Sequence, residues 1–110
     1  MFTSIDRATF ADLQEAAGAD FVADLVDTFL EEAPRMLAEL RNAQADASAE
    51  RFRRAAHSLK SNSNTFGAMR LGAMARDLEL GGIVADAAPL NALDAEYSRV
   101  AAALKGLANG

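Results

Sequence analysis

Ala56-His57-Ser58-Leu59-Lys60-Ser61-Asn62-Ser63-Asn64-Thr65-Phe66-Gly67-Ala68 contains the only histidine of a chain that has no cysteine. Its spacing, extended back to Glu50, predicts a helix over 50–66. At 3.6 residues per turn, Phe52, Ala55, Ala56, Leu59, Ser63 and Phe66 fall on one side. Glu50, Arg53, Arg54, His57, Lys60, Ser61 and Asn64 fall on the other. The imidazole therefore belongs to the solvent-facing stripe and not to the core. A lysine follows it by one turn, and the small Ser61 at i+4 leaves space above the ring.

The same periodicity extends outward in both directions. Upstream, Val22, Val26, Phe29, Ala33, Met36, Leu40 and Ala43 step by fours and threes, which predicts a long helix over 20–45. Pro34 lies within that stripe and should kink the helix without ending it, because the pattern continues in phase beyond it. Before it, residues 4–17 read as a short helix with Ser4 as N-cap and Gly18 as stop. Ala45-Asp46-Ala47-Ser48 breaks the chain again, and Asp46 or Ser48 can cap the helix that carries His57. Downstream, Thr65-Phe66-Gly67 forms a tight turn. A fourth helix over 68–80 points Leu71, Met74, Ala75 and Leu78 inward and stops at Gly81-Gly82. Pro89 opens a last helix with Leu90, Leu93, Tyr97, Val100, Leu104 and Leu107 on one side, fraying over 107–110.

Nothing in the chain alternates like a strand, and the connections are short. This pattern predicts an all-α protein: an antiparallel up-down four-helix bundle with a short additional N-terminal helix, one domain over 1–110. The chain has 110 residues, 51% of them hydrophobic, and only 2 prolines, enough for one core and unlike a disordered chain. A net charge of -5 argues against nucleic-acid binding, which rests on neutralising phosphates. No apolar run approaches a membrane span, and residues 1–6 lack the start of a signal peptide, so the expected location is the cytoplasm. Absence of cysteine, with a single histidine, argues against disulfides and zinc. No P-loop or strand-borne glycine-rich turn is present, which argues against ATP binding and autokinase activity. Against the acidic whole, Arg51, Arg53, Arg54 and Lys60 surround His57, and no acid occurs between Arg51 and Arg76. That positive patch suits an acidic surface or a phosphoryl group. The turn at Gly67 folds the fourth helix back beside the third, bringing the segment from Arg76 to Glu79 level with His57.

Ala56, His57, Leu59, Lys60, Ser61, Ser63, Gly67 and Ala68 resemble the signature of the histidine-containing phosphotransfer (HPt) domains of two-component phosphorelays. The resemblance implies a phosphocarrier, not an enzyme, that shuttles a phosphoryl group between receiver-domain aspartates. Nε2 of His57 would take the group. Glu79 would accept the Nδ1 proton, and Lys60 would offset charge on the phosphoryl oxygens. Arg53, Arg54, Ser61 and Asn64 would form the receiver-docking face. It further implies no cofactor in this chain, with Mg²⁺ held by the partner receiver. The expected partners are the receivers of a hybrid histidine kinase and a response regulator, met by a monomer. The alternative is a helical adaptor bundle that docks partners without chemistry. A kinase dimerisation bundle would need paired helices from two chains, and the complete single-chain stripe argues against it.

Overall fold

The computed structural model describes residues 4–109, folded into five helices. In chain order these are α1 (Arg7–Ala17), α2 (Ala19–Ala45), α3 (Ala49–Thr65), α4 (Met69–Gly81) and α5 (Ala88–Asn109). No strand occurs among the described residues. Helix α2 packs on α1, α3 and α5; α3 on α4; and α4 on α5, while α1 also touches α3. The core is built from the expected stripes. Val22, Val26, Phe29, Ala33, Leu40 and Ala43 of α2 are buried, as are Phe52, Ala55, Ala56 and Leu59 of α3. Leu71, Ala75 and Leu78 of α4 and Leu90, Leu93, Val100 and Leu104 of α5 complete it. Phe66, just past the end of α3, stacks at a tilt on Phe29 with ring centroids 5.3 Å apart, and Tyr97 meets Phe29 edge-on at 6.1 Å. These rings join α2, α3 and α5 at one level. No helix among the described residues is long and apolar enough to cross a membrane.

Both ends of the α2–α3–α4 path close in the same way. After α3, the Ala68 N–H donates to the Ser63 carbonyl at 2.8 Å and the Gly67 N–H to that of Asn64 at 3.1 Å. Gly67 takes the left-handed conformation (φ 84°) that this paired closure requires. After α2, Ser48 and Ala47 donate to Ala43 and Gln44 in the same pattern, and there Ala47 accepts the left-handed position (φ 53°). Ser48, not Asp46, then caps α3, its hydroxyl accepting from the Arg51 N–H at 3.4 Å.

Two boundaries differ from the sequence expectation. Helix α1 begins at Arg7, and Asp6 rather than Ser4 is its N-cap. Residues before it are drawn away by a tertiary contact: the Asp6 N–H donates to the Gly67 carbonyl at 2.7 Å, and Ile5 is buried. A Cβ at Gly67 would stand 2.7 Å from the Asp6 carbonyl oxygen, so glycine is required there twice over. At the other end, residues 107–109 are helical, not frayed, and Gly110 lies outside the described residues.

Helix α2 continues through Pro34. Proline has no N–H, so the Leu30 carbonyl loses its helical donor. The Tyr97 hydroxyl of α5 donates to that carbonyl at 3.4 Å. The proline thus opens an acceptor in α2 that α5 fills. Tyr97→Phe should therefore cost up to about 1 kcal/mol by leaving Leu30 without a donor. In a Pro34→Ala background the restored N–H should remove most of that cost. Urea denaturation of the four proteins measures the coupling, and equal costs in both backgrounds would disprove it.

Candidate functional site

His57 sits in the middle of α3, with its side chain 55% exposed. Its helical face is set by the buried Phe52, Ala56, Leu59 and Ser63 on the opposite side. The turn at Gly67 brings α4 antiparallel against α3. Asn64 lies seven residues after His57, and Gly72 seven before Glu79, so the two pairs occupy equivalent levels of the hairpin. At the first level the helices are so close that a Cβ on Gly72 would stand 2.1 Å from the Asn64 Oδ1. At the second, His57 Nδ1 meets Glu79 Oε2 at 2.7 Å.

Glu79 is 13% exposed and serves two partners. Its second oxygen, Oε1, lies 2.7 Å from Lys60 Nζ. That contact is an ion pair whose angles fall outside those of a well-formed hydrogen bond. The Lys60 ammonium first, and the His57 ring second, hold the Glu79 carboxyl below its ordinary range. An ionised carboxylate only accepts hydrogen bonds, so the contact places the imidazole proton on Nδ1. The lone pair is then on Nε2, the nitrogen of a half-exposed ring that Glu79 leaves open.

The other expected site residues divide. Arg53, Arg54 and Ser61 lie exposed on the His57 side of α3. Asn64 is also exposed, but its amide lies across Gly72 and belongs to the α3–α4 contact. Lys60 is not free: it is 24% exposed and bound to Glu79. The positive patch is narrower than the charge count suggests. Arg51 spans back to α2, where its Nε and Nη2 bond the Glu39 carboxylate at 3.0 and 2.8 Å while Nη1 bonds Asp46 at 2.7 Å. These bonds raise the Arg51 pKa and lower that of Glu39. Arg54 is 4.0 Å from Glu50, and Arg53 makes no ion pair among the described residues. Sequence reasoning missed Glu96, which is 2% exposed on α5 and meets Arg99 at 2.9 Å and Arg70 at 3.6 Å. Glu96 lies three residues after Leu93 and four before Val100, so its place on the α5 stripe is the signal that could have found it. No cluster of potential metal ligands occurs among the described residues.

The Hpt domain model matches residues 24–103, most of the chain and all of the site. The chain belongs to the Hpt domain family. Histidine phosphotransfer in a phosphorelay is accordingly its function. It is similar to the crystal structure of histidine-containing phosphotransfer protein B (HptB) from Pseudomonas aeruginosa PAO1, with 28% identity and a TM-score of 0.87. That match covers 96% of this chain and 95% of the other. No curated protein matches the sequence significantly.

The ionised Glu79 has a pH signature. Its folded-state pKa lies below 4.5, so its contribution to stability is present above 4.5 and is lost as pH falls through the folded value. The stability gap between the wild type and Glu79→Gln should be present above about pH 4.5 and shrink as the pH falls below it. Chemical denaturation of both proteins over that range tests this; a gap that does not change with pH would contradict it.

Proposed function

We propose that His57 is the phosphorylated residue of this Hpt protein and that Nε2 is the accepting atom. The observation that carries the reading is the 2.7 Å contact between His57 Nδ1 and Glu79 Oε2 on a half-exposed ring. It fixes the tautomer and ring direction, and it leaves one nucleophilic nitrogen facing a partner. In the transfer, the Nε2 lone pair forms a bond to phosphorus as the bond to the receiver's aspartate oxygen breaks. The aspartate leaves with the electron pair. The ring gains positive charge, and the Glu79 carboxylate beside the Nδ1 proton stabilises it. Lys60 offsets the charge of the phosphoryl oxygens. Transfer is in-line and relies on positioning and electrostatics.

The chain acts as a phosphocarrier without ATP binding or autokinase activity, and needs no cofactor of its own. Magnesium is supplied by the receiver. The partners are the receiver domains of a hybrid kinase and a response regulator, met by a cytoplasmic monomer through Arg53, Arg54, Ser61 and Asn64. The 110 residues form one domain. Its frame is an antiparallel up-down bundle of α2 to α5, with α1 as the added N-terminal helix. The closed cycle of packing, α2 on α3, α3 on α4, α4 on α5 and α5 on α2, supports that architecture.

His57→Gln should abolish phosphoryl acceptance from a phosphorylated receiver while leaving the melting temperature nearly unchanged, because an exposed ring leaves no cavity. Radiolabel transfer, with the acid lability of a phosphoramidate as its mark, tests the first half, and thermal unfolding the second. Label retained by the variant would overturn the assignment.

A further inference from the structure

Lys60 is placed where a phosphoryl-binding lysine would not rest. Three observations define the arrangement. Glu79 divides its carboxylate, with Oε2 on His57 Nδ1 and Oε1 on Lys60 Nζ, each at 2.7 Å. Both acid and lysine are sheltered, at 13% and 24% exposure, so solvent screens their attraction less than on an open surface. Finally, Nδ1 and Nε2 occupy different edges of the imidazole. An ammonium held by Glu79 is tied to the partner of the Nδ1 edge, whereas a phosphoryl group grows from the Nε2 edge.

The other cations of α3 do not take its place readily. Side chains on a helix lean toward its N-terminus. Lys60, three residues after His57, leans back toward the ring, whereas Arg53 and Arg54, four and three residues before it, lean away. Arg51 is engaged by Glu39 and Asp46. Lys60 is therefore the cation of α3 whose stem leads to the reacting nitrogen, yet in this state its charge is already neutralised.

We propose that Glu79 and the phosphoryl group on His57 compete for Lys60, so that phosphorylation exchanges one anionic partner of the ammonium for another. This rests on the reading that His57 Nε2 carries the phosphoryl group. In the step, the N–P bond forms while the aspartyl O–P bond of the receiver breaks, and the receiver's carboxylate departs with the electron pair. Nδ1 keeps its proton against Glu79 Oε2. Lys60 leaves Oε1 for the phosphoryl oxygens. Glu79 then acts in two directions: it supports the charged ring through one oxygen and withholds the stabilising cation with the other. The phosphorylated histidine is held less tightly than a free lysine would hold it, which suits a carrier that must give the group up again.

Competition has a definite sign in a double-mutant cycle. The proteins are the wild type, Lys60→Met, Glu79→Gln and the double variant. Met retains the apolar stem of Lys60, and Gln retains an acceptor for Nδ1–H without the charge. The quantity read is the equilibrium partition of phosphoryl between one phosphorylated receiver and His57, with the labelled residue identified by mass spectrometry. Lys60→Met should lower the partition toward His57 in both backgrounds. Its effect should be about three- to fivefold larger in the Glu79→Gln background, the order of one partly sheltered ion pair. An effect there equal to or smaller than that in the presence of Glu79 would overturn the competition and make Glu79 an anchor that readies Lys60. Wild-type protein that takes no label on His57 would instead overturn the site reading, and this inference with it. Amide NMR spectra of the four proteins confirm that each comparison is between folded chains.

Discussion

The turn through Phe66 and Gly67 sets the register of α3 against α4, and the site depends on that register. Gly67 ends α3 by the paired closure onto Ser63 and Asn64, then offers its carbonyl to the Asp6 N–H. From this point the two helices run back together. Two turns below the point where the Asn64 amide crosses Gly72, His57 arrives opposite Glu79. One residue of slip would rotate each helix by about 100° and put the carboxylate on another face. The chemistry of the histidine is thus decided by a glycine ten residues away.

Electrostatics around the ring follow from pairing more than from count. The chain carries a charge of -5, and the stretch from Arg51 to Arg76 carries no acid. Acids nevertheless reach it from neighbouring helices: Glu39 of α2 with Asp46 beyond its end take Arg51, and Glu79 of α4 takes Lys60. What remains open toward a partner is Arg53 of α3 and Arg76 of α4, with Arg54 held only distantly by Glu50. A bridge such as Arg51 to Glu39 and Asp46 ties the α2–α3 connection; being substantially exposed, it adds more geometry than stability.

The legible part of this protein is whatever lies along one helix. The stripes of α2 to α5 are local periodicities, and their ends fall within a residue or so of the expected ones, because the closing residues Gly82 and Ser48 act locally. The exposed face of His57 was legible for the same reason, and so was the level at which Glu79 returns, since it follows from the turn. What crosses between helices was not. Ser4 fails as a cap because Asp6 is drawn to Gly67, a contact with no local signal. Lys60 reads as a free surface cation until α4 is placed beside it. Glu96 and Tyr97 both fit the α5 stripe, and only the arginines of α4 and α5 settle that the acid, not the phenol, lies deeper.

Helix α3 separates stability from chemistry by assigning them to opposite faces. Phe52, Ala55, Ala56, Leu59 and Ser63 carry its burial, and the Ser63 hydroxyl has no hydrogen-bond partner among the described residues, as a position selected for small size would allow. His57 contributes little to that burial, so the phosphoryl group proposed to ride on its ring would come and go without disturbing the packing beneath it. The protein does not enclose its reaction. It supplies an oriented imidazole, a shared carboxylate and one lysine, and leaves desolvation of the open nitrogen to the surface that docks on it. A transfer centre built this way, as proposed for His57, would be incomplete alone, and that incompleteness would confine phosphoryl exchange to the bound partner.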